Sequence, residues 1–245
     1  MSGHSKWSTI RRKKGAADAK RGQAFTKLGK AITVAAKDGA DPTTNFKLRL
    51  AVDQARALNM PSANIAKAIS RGEGTSDEGR PEEIIYEGYG PGGVAIIVEC
   101  ATDNKNRTYA DVRTQFSKHG GSIAEPGAVT YQFDQKGVIQ LEPSDIEAAS
   151  LAAIDVGAED VEVDGGVLSV YTAPQRLSSV QTQLQDQDLK PVSAELSFVP
   201  KQSILVQDPV QATKILKLMS GLEDLDDVTA TYSNFDIPSR LMEQI

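Results

Sequence analysis

Apolar residues recur every three or four positions in three successive segments before Gly72, and this spacing predicts three short helices. The first helix begins at Gln23 and stops before Gly39. The second follows Asp41-Pro42, where Asp can cap a helix and Pro suits the first turn. The third opens at Pro61. The apolar stripes are Phe25, Leu28, Ile32 and Ala35 or Ala36, then Leu48, Val52, Ala55 and Leu58, then Ile65 and Ile69.

Residues 1–22 contain little to bury apart from Trp7 and Ile10, and glycines interrupt any helical pattern there. We therefore expect 1–22 to be a flexible basic arm that precedes a helical domain over 23–72. Residues 73–83 combine Gly, Pro and acidic side chains, which is typical of a linker. The core of the helical domain is small, so we expect its stability to be marginal.

After the linker the chain alternates between strand and helix patterns. One β-α-β unit precedes residue 134, and a second set of strand, helix and strand follows residue 202. Together, 84–133 and 203–245 predict one discontinuous α+β domain. Its predicted elements are a strand over 94–100, a helix over 108–119 and a strand over 129–133, then a strand over 203–206, a helix over 210–219 and a strand over 228–232.

Residues 134–202 separate these two halves and carry a β-α-β-β-α-β pattern of their own. A domain can be inserted in this way because its termini lie close together. The predicted fold class is therefore α+β. It consists of an N-terminal basic three-helix domain followed by two ferredoxin-like α/β domains, one inserted in the other.

Charge divides the chain at Gly72. Fifteen Lys/Arg and four acids precede this point, a net charge of +11, whereas the remaining 12 basic and 29 acidic residues give −17. Such asymmetry indicates nucleic acid or another polyanion as the partner of the basic end. A merely solubilising tail is the alternative, but the basic residues continue through segments that are predicted to fold. The acidic remainder would repel nucleic acid and confine binding to the N-terminal part.

Catalytic, metal and membrane signals are weak in this sequence. It contains one cysteine and two histidines, too few for a thiol-rich zinc site, and we expect no metal and no cofactor. Cys100 ends an apolar strand and is interpreted as a buried small side chain. A Cys100–His119 nucleophile pair is the enzymatic alternative, and no other residue supports it. No apolar run reaches the ~20 residues that cross a bilayer, so we expect no membrane partner. A single cysteine excludes an internal disulfide and suits a reducing compartment, so we expect a cytoplasmic protein.

The run Gly88–Gly93 fits G-x-G-x-x-G, but it precedes a strand, whereas a dinucleotide site needs these glycines between a strand and a helix. We interpret it as a tight turn that exposes Tyr86 and Tyr89 as part of a contact loop. The polar run 103–107 lies between a strand and a helix, where Asp and Asn favour turn and cap geometry. Its alternative role is a polar contact surface beside the turn, through Asn104 and Arg107.

The N-terminal part has the groups that nucleic-acid binding requires. If about six of its cations neutralise phosphates, the log–log salt slope of the affinity should be near −5. The rings of His4 and Trp7 can stack on unpaired bases, although Trp7 could instead pack on its own domain. The predicted nucleic-acid-binding residues are His4, Lys6, Trp7, Arg11, Arg12, Lys13, Lys14, Lys20, Arg21, Lys27 and Lys30.

Several motifs together resemble the YebC/PmpR family across nearly the whole chain. They are G-H-S-K-W (3–7), D-A-K-R-G (18–22), F-T-K-L (25–28), I-T-V-A-A-K (32–37), N-M-P (59–61), Y-E-G-Y-G-P-G-G (86–93), T-D-N-K-N-R-T (102–108) and F-S-K-H-G-G (116–121). Relatives often have a His near position 12 and a Pro near position 46. Here 11–14 are all basic and Phe46 replaces the proline, so the second helix can start differently.

The resemblance implies a helical domain with two α/β domains, one inserted, and a non-enzymatic regulator of gene expression. It leaves two partners open. One is DNA, as for a transcriptional regulator. The other is ribosomal or transfer RNA on the ribosome, as for a translation factor or a mitochondrial translational activator. The chain shows no recognisable helix-turn-helix reader, and a basic arm with stacking rings suits shaped RNA at least as well.

Overall fold

The computed structural model describes residues 18–75 and 81–242, so most of the predicted arm lies outside the described residues. Helix α1 (Asp18–Ala35) includes residues 18–22, so their assignment to the arm is wrong. A glycine within a helix costs about 1 kcal/mol relative to alanine. Gly22 is nevertheless helical, because the helix is held by tertiary contacts that begin one residue later, at Gln23.

Helices α2 (Phe46–Ala57) and α3 (Ser62–Glu73) complete the helical domain. Helix α2 starts later than Asp41-Pro42, because the Asp41 carboxylate accepts hydrogen bonds from the Thr43 amide and hydroxyl and closes a turn there. Asn45 caps α2 instead, by accepting from the Leu48 amide. Gly74, in the left-handed region at φ 80°, ends α3.

The core of this domain lies between α1, α2 and α3, and α1 and α3 cross closely. Gly72 allows the close approach, since a Cβ there would lie 2.4 Å from the Thr33 carbonyl oxygen and 2.6 Å from the Ala36 Cβ. Ile32 and Leu48 are fully buried in this core. The predicted stripes contribute most of the remaining core, which consists of Ala35, Ala51, Val52, Ala55, Met60, Ile65 and Ala68 with Phe25, Leu28 and Ile69 at its margin.

The outer domain is built on a four-stranded antiparallel sheet in the order β3-β1-β2-β9. Its inner face packs against α4 and α7 around residues such as Phe116 and Ile215, both fully buried. Two short strands form a separate parallel pair, and a short helix ends the described chain. The elements are β1 (Glu82–Tyr89), β2 (Ala95–Thr102), α4 (Lys105–Lys118), β3 (Ser122–Ala124), β8 (Ile204–Leu205), α7 (Pro209–Glu223), β9 (Val228–Ser233), β10 (Phe235–Asp236) and α8 (Ser239–Met242).

Strand β1 corrects two predictions. The predicted linker 73–83 overlaps its first two residues, and Gly88 and Tyr89 belong to the strand, so that only 90–93 form the turn. The strand predicted over 129–133 is wrong as well, because 130–132 form a 3₁₀ turn. The Glu87 carboxylate explains this turn, since it accepts hydrogen bonds from the backbone amides of Gly127, Val129 and Thr130.

The inserted segment has the predicted order of elements, β-α-β-β-α-β, and forms a second antiparallel sheet in the order β5-β6-β4-β7. Helices α5 and α6 pack on one face of this sheet around Ile139, Leu168 and Leu177, all fully buried. The elements are β4 (Phe133–Leu141), α5 (Ile146–Asp155), β5 (Asp160–Asp164), β6 (Val167–Thr172), α6 (Leu177–Asp186) and β7 (Pro191–Pro200).

The α+β fold class is confirmed: helices come first, and two antiparallel sheets with their own helices follow. The helical domain contacts both sheet domains. Leu50 of α2 is part of the apolar cluster of the inserted domain, and Arg49 donates to the Ser178 hydroxyl at 2.5 Å. Helix α1 lies against the outer domain. No helix in the described part of the chain is long and apolar enough to cross a bilayer.

Candidate nucleic-acid interface

The structure describes only some of the residues that the sequence nominates for binding. His4, Lys6, Trp7 and the four basic residues 11–14 lie outside the described residues, and so do the side chains of Lys20 and Arg21, although both residues belong to the first turns of α1. The predicted chemistry of the arm therefore stays a prediction.

Lys27 and Lys30 lie on α1 but point at the outer domain. The Lys27 ammonium donates to the Glu223 carbonyl, and the Lys30 ammonium donates to the Asp226 carbonyl at 2.8 Å. Gln23 adds a bond of 2.5 Å to the Asp224 carbonyl. These carbonyls are at or just beyond the C-terminus of α7, where unpaired C=O groups carry partial negative charge that attracts cations. In this structure both lysines hold the helical domain on the outer domain.

Asp227 is the centre of this contact and is only 7% exposed. Its two carboxylate oxygens accept from the Lys30 ammonium at 2.5 Å and from the Arg107 guanidinium at 2.8 Å. The Thr108 and Thr102 hydroxyls lie 2.7 Å and 3.2 Å from it. Burial alone would raise the pKa of Asp227, but the bonds from Lys30, Arg107 and Thr108 dominate and hold that pKa well below its usual range. The carboxylate is thus ionised at neutral pH.

The four predicted contact-loop residues divide into two groups. Asn104, Arg107 and Tyr86 meet at the N-terminus of α4, where Asn104 caps the helix by accepting from the Arg107 amide and Tyr86 donates to the Lys105 carbonyl at 3.2 Å. Tyr89 lies elsewhere and donates to the Ala128 carbonyl at 2.8 Å. Both tyrosines are half-buried on β1, so the expectation of an exposed loop is wrong.

Other basic side chains of the helical domain face solvent. Lys37, Lys47 and Arg56 are exposed. Arg49 is not available in the same way, because its guanidinium lies 5.3 Å from the centre of the Phe46 ring and contacts the inserted domain. The described helices therefore combine exposed cations with cations that join the domains.

Sequence reasoning missed a group of cations in the acidic part of the chain. Arg113 and Lys118 lie on α4, Lys214 and Lys217 lie on α7, and all four are exposed. We name them the α4–α7 basic face. The signal was present in the sequence, since α4 carries four basic residues and one acid. The net negative charge of the residues beyond Gly72 obscured this group of cations.

Glu99 on β2 is a partly buried ionisable group where the three domains meet. It accepts from the Tyr232 hydroxyl at 3.0 Å. Desolvation by this burial raises the pKa of Glu99 to about 7, with Glu83 and Glu195 adding to the rise, while the Tyr232 bond and Lys47 oppose it. The charged residues that shift this pKa lie on α2 (Lys47), β1 (Glu83) and β7 (Glu195). The pKa of Glu99 therefore depends on how the domains pack against each other.

The structure does not favour Cys100 as a nucleophile. Cys100 is fully buried, and burial raises the pKa of its thiol to about 12, which opposes formation of a thiolate. Burial and the positive charges of Lys118 and Lys217 lower the pKa of His119. Among the described residues, no three His, Cys, Asp or Glu side chains are grouped so that they could hold a metal ion.

Comparison with known proteins gives consistent matches along the chain. One family model, described as the TACO1/YebC protein N-terminal domain, matches residues 5–75, and another, described as the TACO1/YebC second and third domain, matches residues 81–235. A solved conserved hypothetical protein from Aquifex aeolicus superimposes with a TM-score of 0.86 at 41% identity, covering 91% of this chain and 93% of that one.

Curated relatives extend along the same length. A protein of Chloroflexus aggregans is 50% identical over 100% of this chain and 99% of its own. One of Dictyoglomus thermophilum is 48% identical, and the match covers 100% of both chains. Each of these two proteins is named "probable transcriptional regulatory protein". Motifs, fold and relatives agree, and the chain is a member of the TACO1/YebC family.

Proposed function

We propose that this protein is a non-enzymatic regulator of gene expression that binds nucleic acid through its basic N-terminal part. The observation that carries the proposal is the division of charge, +11 up to Gly72 and −17 beyond it. Lys/Arg groups that neutralise phosphates supply most sequence-independent affinity for nucleic acid. The names of the relatives support a regulatory role.

The tertiary contacts of α1 refine this proposal. The bonds of Gln23, Lys27 and Lys30 seat α1 on the outer domain, and the basic residues 1–17 precede this helix directly. We therefore assign binding to the residues before α1 and to exposed cations such as Lys37 and Arg56. Lys27 and Lys30 position the helix. These two roles differ from the sequence prediction, which treated all basic residues up to Lys30 alike as binding residues.

DNA is the first candidate target, because relatives carry the name of transcriptional regulators. RNA on the ribosome is the second candidate, favoured by the rings of His4 and Trp7 next to the basic run. Flat side chains stack on unpaired bases, which duplex DNA does not offer. The two candidates differ in target and share the same binding groups.

The test is recovery of nucleic acid crosslinked in cells to the full chain, followed by sequencing. We expect DNA of defined regions if the first candidate holds, and ribosomal or transfer RNA if the second holds. A full chain with Arg11, Arg12, Lys13 and Lys14 changed to Glu is the matched control and should recover far less. Equal recovery of both nucleic acids by the parent and this variant would contradict the proposal.

A further inference from the structure

The α4–α7 basic face (Arg113, Lys118, Lys214, Lys217) is unusual because it lies in the part of the chain that carries a charge of −17. None of its four side chains has an ion-pair partner among the described residues. Nearby cations behave differently, since Lys105 pairs with Glu82 and Arg107 with Asp103 and Asp227. The four charges are therefore uncompensated and available to an external anion.

Helix geometry brings Lys118 of α4 close to Lys217 of α7, whereas Arg113 lies on the solvent side of α4. Gly221 of α7 faces Gln115 and His119 of α4, because a Cβ at this glycine would lie 2.5 Å from the Gln115 Oε1 atom and 3.7 Å from the His119 Nε2 atom. Lys217 and Lys214 precede Gly221 by four and seven residues, so they share its side of α7. The positive charges of Lys118 and Lys217 both act on His119 and help to lower its pKa.

The solvent side of α4 is open and only slightly indented. A shallow depression of about 650 Å³ is lined, within the described residues, by Ala110, Thr114 and Ser117 between three longer side chains. Arg113 and Lys118 supply positive charge there, and Tyr109, 42% exposed, supplies a flat ring. The Tyr109 ring is steadied by Tyr86, whose centre lies 6.0 Å away at a 54° tilt. Small residues between cations, next to an exposed ring, suit a phosphate backbone with a base beside it.

Helix α1, which follows the basic arm in the sequence, contacts the end of α7. Gln23 of α1 contacts Asp224, just beyond the C-terminus of α7. Asp18 begins α1 five residues earlier, about 7.5 Å along the helix axis at 1.5 Å per residue. The described part of α1 thus starts close to its contact with the end of α7, one of the two helices that form the face.

From these observations we propose that the α4–α7 basic face is a second nucleic-acid-binding surface, which takes the phosphodiester backbone of the strand that the basic arm binds. This inference rests on the proposed function. It replaces the expectation that the acidic part only repels nucleic acid. Arg113, Lys118, Lys214 and Lys217 contact phosphates, and Tyr109 stacks on an unpaired base.

The test compares full-length variants in binding to two probes, a single-stranded RNA of about 30 nucleotides and a duplex DNA of the same length. Changing Arg113 and Lys118 to Glu should weaken binding to both probes about tenfold at low salt. The salt slope should become shallower by about 1.8 on the duplex, because two phosphates at about 0.9 each are no longer neutralised. Tyr109→Ala should weaken binding to the RNA about tenfold, change duplex binding little and leave the salt slope unchanged.

The matched control changes Lys190 of the inserted segment and Arg240 of α8, two exposed cations, to Glu. It alters the net charge equally and should keep nearly the parent affinity. If the Glu variants do not fold like the parent by circular dichroism, Arg113→Gln with Lys118→Gln makes the same test without charge reversal. We expect a smaller reduction in affinity in the same direction.

The outcomes separate this inference from the proposed function. If the α4 variants bind like the parent while reversal of residues 11–14 abolishes binding, the second surface is refuted and the proposed function stands. If the parent binds neither probe, both proposals fail. If the α4 variants keep the parent's affinity for RNA but bind poly-glutamate more weakly than the parent does, the face binds an acidic protein segment. That result would overturn the inference.

Discussion

The Lys30 ammonium lies 2.5 Å from a carboxylate oxygen of Asp227, and this ion pair joins the helical domain to the outer domain. The second carboxylate oxygen holds Arg107 at the N-terminus of α4. One buried acid therefore connects α1, which begins next to the basic arm, with α4, which carries half of the proposed second surface. Removing a single partner from such a buried network leaves an uncompensated charge. We therefore expect mutations in this network to have the largest effects on stability.

Asp227→Asn should lower the free energy of unfolding by about 3 kcal/mol, because Lys30 and Arg107 lose their shared buried counterion. Urea denaturation measures this change. The control is Asp226→Asn, since the neighbouring Asp226 contacts Lys30 through its backbone carbonyl and is itself exposed. A destabilisation of equal size in both variants would contradict a special role of Asp227.

The same ion pair predicts a pH dependence. Folding lowers the pKa of Asp227 below its ordinary 3.8, so the stabilisation is fully present above about pH 4 and disappears as the pH falls further. The difference in unfolding free energy between the parent and Asp227→Asn should therefore shrink below about pH 4. A difference that stays constant down to about pH 2 would show that the carboxylate charge is not responsible.

Glu99→Gln should raise the stability of the protein at about pH 8, above the range in which Glu99 titrates. Folding raises the pKa of Glu99 from 4.5 to about 7, so the folded protein keeps a proton that the unfolded chain releases between these values. Stability therefore falls as the pH rises through this window, by about 3 kcal/mol at most. Glutamine is neutral and can still accept from Tyr232, so the variant should not show this slope.

Thermal unfolding at several pH values measures the effect of Glu99→Gln. Glu125→Gln, at an exposed position, serves as the control and should keep the slope of the parent. If the two variants have the same profile, burial of Glu99 at the domain junction has no energetic consequence.

Gly72→Ala should destabilise the protein by about 1–3 kcal/mol, the usual range for overpacking. The added Cβ would meet the Thr33 carbonyl oxygen and the Ala36 Cβ well inside van der Waals distance. Gly29→Ala is a matched control within α1, where a Cβ meets nothing within 4 Å. There the helix gains about 0.5–1 kcal/mol. Opposite shifts in the urea midpoint are expected, and a shift of the same sign would contradict the close crossing.

Charge and stacking in the arm should have separable effects. Changing Arg11, Arg12, Lys13 and Lys14 to Glu should weaken binding to any nucleic acid, and the salt slope should become shallower by about 0.9 for each phosphate that is no longer neutralised. Trp7→Ala should cost about 1–3 kcal/mol on looped or single-stranded targets and little on duplex DNA, with the slope unchanged. Fluorescence anisotropy over a salt series measures both quantities.

The result for Trp7→Ala also discriminates between two roles of this residue. If Trp7 packs on its own domain, the variant should have lower thermal stability and keep the parent's preference for single strands. Equally weakened binding to duplex and single-stranded probes, at unchanged stability, would contradict both roles. It would favour a protein that binds duplex DNA.

Hydrophobic periodicity by itself was enough to place most helices and the β-α-β-β-α-β order of the inserted segment. Local signals sufficed there, because apolar spacing and breakers such as Gly39 and Pro61 act on neighbouring residues. The α+β class and the division of charge at Gly72 also followed directly from the order of residues. The family motifs at 3–7 and 86–93 needed no structure either.

Long-range contacts decided the rest. The packing of α1 on the outer domain depends on partners far along the chain, at the C-terminus of α7. The turn over 130–132 depends on the Glu87 carboxylate, which accepts hydrogen bonds from three backbone amides. These amides are then not available to pair in a strand. Lys27 and Lys30 cannot be distinguished from surface lysines by sequence. Only the tertiary structure shows that Lys27 donates to the Glu223 carbonyl and that Lys30 pairs with Asp227. Periodicity reports which face of an element is apolar, whereas the partner of a charge depends on how the elements pack.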